Sequence, residues 1–157
     1  MTDTKFVYLT YISSSPEKIW DAIVNREITR QYWGHENVSD WKPGSKWQHV
    51  RDDASRTVAL EGQVVESDRP RRLVITWGEP DSRSKPSRVS IILEPIEDMV
   101  RLTVTHDELQ EGSEMAGKIG NGWPRVLSSL KSFLETGKPL KTWAQPKAAW
   151  PARGELR

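Results

Sequence analysis

Apolar residues alternate with polar ones through the middle of this chain and fall at helical spacing only near its two ends. Lys5 to Ser13 is β-branched and aromatic, which predicts a strand. Ser15 then stands at a cap position, Pro16 at the first helical position and Glu17 in the first turn. A short helix follows, with Ile19, Trp20 and Ile23 on one side. Asn25-Arg26-Glu27 interrupts it, and Ile28 to Trp33 makes a second short helix ended by Gly34. Neither helix is long enough to be stable alone, so both must pack on a sheet.

From His35 onward the pattern is strand and turn. Val38 to Trp41 predicts a short strand, Lys42 to Ser45 a turn, and Lys46 to Arg51 a strand with Trp47 and His49 on one face. Turns at Asp52–Ser55 and Ser67–Pro70 bound strands over Thr57 to Glu66 and Arg72 to Trp77. Gly78 to Ser87 is polar, contains Pro, and reads as a loop. Val89, Ile91 and Leu93 alternate, and Leu102, Val104 and His106 do so again after Pro95 to Met99. Such alternation marks antiparallel hairpins with one wet face.

Ser113 to Ala116 opens the last helical region. Its first half carries Gly117, Gly120, Gly122 and Pro124 and is expected to bend or break there. Val126, Leu127, Leu130, Phe133 and Leu134 then form one apolar stripe, stopped by Gly137 and Pro139. The class is α+β: a curved antiparallel sheet of about seven strands wrapped on a long C-terminal helix. A helix laid across such a sheet leaves a concave apolar space beneath it, where function is to be sought.

With 157 residues the chain is expected to form one domain over 1–138, followed by a tail over 139–157. A net charge of +1 gives no field to gather nucleic acid or an anionic membrane. The absence of cysteine excludes disulfides, thiol catalysis and thiolate metal sites. No apolar run reaches membrane-spanning length and no leader is present, so a cytoplasmic location is expected. The unusual count is eight Trp against two Phe and three Tyr. Trp carries an N–H that wants a partner, which suits it to cavity walls and interfaces. Two of the eight, Trp143 and Trp150, lie in the tail and are expected to anchor it on its own sheet or on a second subunit, a homodimer through the tail being one such arrangement.

Particular residues narrow the architecture. Ile12 with Ser15-Pro16-Glu17, Ile19-Trp20 and Ala22, then Tyr32-Trp33-Gly34, is followed by Gly62-x-Val64 and Pro70-x-Arg72-Leu73-Val74. Thr76-Trp77, Leu102-Thr103-x-Thr105-His106 and Gly122-Trp123 to Leu134-Glu135-Thr136-Gly137 complete the series. In order and spacing these resemble the SRPBCC (START-like, helix-grip) proteins of the type similar to the C-terminal domain of the activator of the heat-shock-protein ATPase. The resemblance covers roughly residues 5 to 138 and implies a β-α-α-β6-α helix-grip fold. Gly44-Ser45 stands where the family usually has two glycines, and His49 and Arg51 stand where it often has apolar residues.

The resemblance and the alternation together imply an inward-facing set. It comprises Trp20, Trp33, Trp47, His49, Arg51, Glu66, Trp77, His106, Met115, Ile119 and Trp123, with aliphatic neighbours such as Ile23 and Leu127. Trp47, Trp77 and Trp123 suit the walls of a ligand cavity. His49, Arg51, Glu66 and His106 are the polar candidates: a cation would fix a ligand carboxylate or phenolate, and His49 or His106 would move a proton. The competing reading makes Arg51 and Glu66 a strand-to-strand ion pair and His106 a satisfied core residue. Two histidines on separate strands without a third ligand do not make a metal site, and no cofactor motif is present.

The expected function is binding of a small hydrophobic ligand, aromatic or lipid-like, between sheet and C-terminal helix. A cyclase-, aromatase- or hydrolase-like activity in the same cavity is the alternative. A chaperone ATPase co-regulator ranks below both, because the eukaryotic activators resembled here carry a further N-terminal domain. No nucleic-acid or membrane partner is expected.

Overall fold

Every strand-turn-strand signal closes into a hairpin, and the hairpins join in one sheet. A computed structural model describes residues 3–140. β1 (Asp3–Ile12) leads into α1 (Pro16–Val24) and α2 (Arg26–Trp33). β2 (His35–Val38), β3 (Lys46–Arg51), β4 (Val58–Asp68), β5 (Arg72–Trp77), β6 (Ser87–Ile96) and β7 (Met99–Gln110) follow, and α3 (Glu114–Thr136) closes the fold. The seven strands form an antiparallel sheet in the order β1-β7-β6-β5-β4-β3-β2. This is the helix-grip α+β arrangement expected from the pattern. Alternation becomes burial: Val89, Ile91 and Leu93 of β6 and Val100, Leu102 and Val104 of β7 share one core with Ile119, Trp123, Val126, Leu127 and Leu130 of α3. Each such side chain contributes about 2 kcal/mol when fully buried.

The short helices are held at their ends. Ser15 Oγ accepts from the Lys18 N–H, and Asn25 Oδ1 accepts from the N–H groups of Glu27 and Ile28. Asn25, which in the sequence interrupts the helical pattern, is therefore the N-cap of α2, which starts at Arg26. Three side chains converge on the last carbonyls of α1, which have no partner within the helix. The Tyr32 hydroxyl donates to Ala22 at 2.7 Å, the Asn37 amide to Ile23 at 3.1 Å and the Trp41 indole to Val24 at 2.9 Å. The end of α1 is thus clamped to α2, to β2 and to the loop beyond it.

Three expectations are corrected. The second strand runs over His35–Val38, and Trp41 lies outside it with a positive φ of 59°. Gly34, left-handed at φ 75°, ends α2 and turns the chain straight into the strand, while Ser39 and Asp40 accept from the N–H groups of Trp41 and Lys42 to form the turn. The C-terminal helix does not break: it runs unbroken from Glu114 to Thr136 through Pro124. Ser113 caps it, its stripe from Ile119 to Leu130 is buried, and Gly117 and Gly120 face open space, where they weaken the helix without disrupting contacts. Finally, Glu66 does not face inward. The register shifts between Val64 and Glu66, which makes Val65 an extra residue and turns Glu66 out to pair with Arg72 at 2.8 Å.

A second bulge falls between His49↔Leu60 and Val50↔Val58, with Ala59 as the extra residue. Such bulges bend a strand and increase its twist, and here they curve the sheet around α3. At its far end α3 is tied to β1: Glu135 accepts from the Ser13 N–H at 2.8 Å, and Lys131 donates to the Tyr11 carbonyl at 2.6 Å. The described chain ends at Leu140, whose N–H reaches Ser129 Oγ at 3.2 Å. Trp143 and Trp150, the residues expected to anchor the tail, lie outside the described residues. Among those residues no helix is long and apolar enough to cross a membrane.

Candidate functional site

Beneath α3 and against β2 to β5 lies a cavity of about 270 Å³. Three indoles wall it: Trp33 from the end of α2, Trp77 from the end of β5 and Trp123 from the middle of α3. Trp123 stands 5.7 Å from Trp33 and 5.3 Å from Trp77, centroid to centroid. Met115, Ile119, Gly122 and Val126 bring one side of α3 to the space. Ala59 and Leu60, consecutive on β4, both line it, because the bulge at Ala59 cancels the strand's alternation there. Lys118 of α3 and Glu79 of the loop after β5 are the exposed lining residues and pair at 3.5 Å across the opening.

The polar part of the wall is a stacked pair of imidazoles. His35 and His49 lie 4.2 Å apart with planes 7° from parallel. The Asn37 amide donates to the Ile23 carbonyl, so its Oδ1 must face His49, and His49 Nδ1–H donates to it at 2.6 Å. This fixes the tautomer: Nε2 carries the lone pair. That nitrogen has no partner among the described residues, and it is not sealed inside the protein as Trp77 Nε1 is. Burial first, and the adjacent His35 second, hold the His49 pKa well below its ordinary value. Burial also lowers that of His35, against the opposing hydrogen bond to the Trp33 carbonyl. Both rings are therefore neutral at pH 7. A shared metal ion does not suit them, since imidazole lone pairs lie in the ring planes and near-parallel planes do not meet at one ion.

His106 is placed differently. It is fully buried behind Trp77 and Trp123 and does not line the cavity. Trp123 Nε1–H can only donate, and it reaches His106 Nδ1 at 3.0 Å. Nε2 then bears the hydrogen and gives it to Ser87 Oγ at 2.7 Å, while the Ser87 hydroxyl donates to the Trp77 carbonyl at 3.2 Å. Burial lowers the His106 pKa to about 4. Protonation would also set an N–H of His106 against the indole N–H.

Of the residues expected at the site, Trp33, His49, Trp77, Met115, Ile119 and Trp123 line one space. Trp47 is buried behind Trp77, 5.4 Å away, and donates to the Thr76 carbonyl at 2.7 Å. Trp20 packs in the core from α1. The four polar candidates do not converge: Arg51 pairs with Asp53 at 3.0 Å and Glu66 with Arg72, both away from the cavity. The strand-to-strand Arg51–Glu66 ion pair of the competing reading is not formed either, since each has another partner. Sequence reasoning misses His35, Ala59, Leu60, Glu79, Lys118, Gly122 and Val126. For His35 the available signal is Gly34, which as a helix stop starts the next strand one residue later. A second hollow of about 530 Å³, more polar, adjoins the first and shares Trp77, Glu79 and Met115 with it.

Comparison with known proteins agrees with this architecture. The family model described as Activator of Hsp90 ATPase homolog 1-like protein matches residues 13–135. The chain belongs to this family. No curated protein matches the chain. Among solved structures, the Aha1 dimer from Colwellia psychrerythraea is similar at 21% identity, with 86% of this chain and 98% of that one covered and a TM-score of 0.74. A protein from Cytophaga hutchinsonii is similar at 27% identity over 85% of this chain and 95% of its own, TM-score 0.69. An HSP90 activator from Plasmodium falciparum is similar at 22% identity over 87% and 99%, TM-score 0.70. Identities as low as those to the first and third carry the fold alone.

Proposed function

We propose that this protein binds a small aromatic molecule in the cavity between sheet and α3. The observation that carries the reading is the wall itself: three indoles and two neutral stacked imidazoles enclose about 270 Å³. Flat apolar rings face flat apolar rings there, with offset stacking worth about 1 kcal/mol per pair beyond area burial. The volume suits one or two fused rings, about what a small pocket takes.

Titration of the full chain with naphthalene, followed by calorimetry, tests the reading. Binding is expected in the wild type and is expected to vanish in Ala59→Phe, which fills the space from a strand position. Absence of heat in a wild type that melts cooperatively would end the proposal.

An enzymatic reading has one observation in its favour. His49, oriented through Nδ1 by Asn37, has the arrangement of a positioned base. Its depressed pKa weighs against it, because a ring that resists a second proton is a weak proton acceptor. It accepts a hydrogen bond better than it removes a proton. Regulation of a chaperone ATPase ranks third; no effect of the chain on hydrolysis by such an ATPase would dispose of it.

A further inference from the structure

We propose that the ligand of this cavity is a neutral, hydroxyl-bearing aromatic molecule, a phenol, whose O–H donates to Nε2 of His49. This rests on the binding reading above and adds the chemical class of the ligand. His49 is buried, yet its Nε2 has neither a partner among the described residues nor a covering of protein atoms. A ligand that fills the cavity displaces the water that reaches this acceptor, and one that cannot donate a hydrogen bond in return leaves it unpaired at a cost.

The direction of the hydrogen bond follows from the tautomer. Asn37 cannot rotate its amide to offer N–H to His49 without giving up the Ile23 carbonyl at the end of α1. Nδ1 must therefore keep the hydrogen, and Nε2 must accept. A carboxylate or phenolate brings only lone pairs and would meet a lone pair. Binding one would require a second proton on His49, which burial and the His35 ring at 4.2 Å both oppose. The other charged groups of the wall, Lys118 and Glu79, already face each other at the opening. A hydrocarbon fits the indoles but leaves Nε2 unpaired. A phenol satisfies both parts of the wall.

The test compares 2-naphthol, naphthalene and 2-naphthoate by calorimetry on the full chain at pH 7.5, where the naphthol is neutral. The naphthol is expected to bind about tenfold more tightly than naphthalene, the worth of one hydrogen bond, and more tightly than the naphthoate. His49→Phe keeps a ring but removes the acceptor; whatever its own affinity for naphthalene, the naphthol's advantage of about tenfold over naphthalene should vanish within that variant. Nitrogen NMR of the wild type avoids any question of folding. His49 Nε2 should give the signal of an unprotonated nitrogen, and that signal should move with 2-naphthol and not with naphthalene. If naphthalene binds, the naphthol has no advantage and the signal is unmoved, this inference fails while the cavity reading stands. Tightest binding by the naphthoate also overturns it. If no probe binds, the cavity reading fails and takes this inference with it.

Discussion

The burial of His106 predicts a specific loss of stability in mild acid. Its pKa in the fold is about 4, against an ordinary 6.5. Between those values the unfolded chain takes up a proton at this position and the native protein does not. Stability rises with pH wherever the unfolded state binds more protons, so this contribution is complete above pH 6.5 and is lost as pH falls toward 4. Each tenfold difference in proton affinity between the two states is worth about 1.4 kcal/mol, so the full loss is about 3 kcal/mol. No discount for solvent applies, since His106 is fully buried.

The assay is urea unfolding followed by Trp fluorescence at several pH values from 7.5 to 4, on the wild type and on His106→Gln. The amide offers one acceptor and donors in place of the two ring nitrogens but does not titrate. The carboxyls of Glu36 and Glu135, which neighbouring cations hold low, also lose stabilising charge in acid. His35 and His49 act in the same direction as His106. All of these are common to both proteins and cancel in the difference. The wild type's advantage should therefore shrink by about 3 kcal/mol between pH 7.5 and pH 4. Parallel curves would refute the reasoning, for they would mean that His106 titrates alike in the folded and unfolded chain.

A Cβ added at Gly62 would lie 2.1 Å from the Thr76 carbonyl oxygen, so Gly62→Ala should cost about 3 kcal/mol in urea unfolding. At Gly120 an added Cβ meets nothing within 4 Å, and Gly120→Ala should raise stability by about 1 kcal/mol, seen as a higher melting temperature. Glu36 is buried and holds Arg26 at 2.7 Å, Arg56 at 2.8 Å and Arg30 at 3.5 Å. Glu36→Gln keeps the shape and removes the charge; it should cost about 2 kcal/mol and lower the urea midpoint, with an unchanged midpoint showing the cluster to be idle.

The strands and helix starts are legible in the sequence because their signals are local. Ser15-Pro16 marks a helix start wherever it lies, and Val89-x-Ile91-x-Leu93 alternates whatever it pairs with. What the sequence hides depends on pairing. His-Glu-Asn-Val carries no apolar alternation, so the pattern sets β2 three residues late and conceals His35. The bulges at Ala59 and Val65 are properties of two strands together, and each reverses the faces of the residues beyond it. That is why Glu66 leaves the site and Ala59 and Leu60 enter it. Trp33, Trp77 and Trp123 are visible because their positions, at element ends and on the helix stripe, do not depend on register.

His106 and His49 differ in the count of satisfied nitrogens, and the difference separates support from site. Both are buried and both resist a second proton. His106 uses both nitrogens within the protein, one toward Trp123 and one through Ser87 toward the Trp77 carbonyl. It has nothing left for a ligand, and what it holds are two of the three indole walls. His49 uses one nitrogen, and the group that takes it, Asn37, is itself fixed on the end of α1. The orphan carbonyl of a nine-residue helix thus decides which nitrogen of His49 carries the hydrogen. A core histidine is finished when the fold is finished. His49 is left one hydrogen bond short, at the wall of the space into which three Trp rings also project.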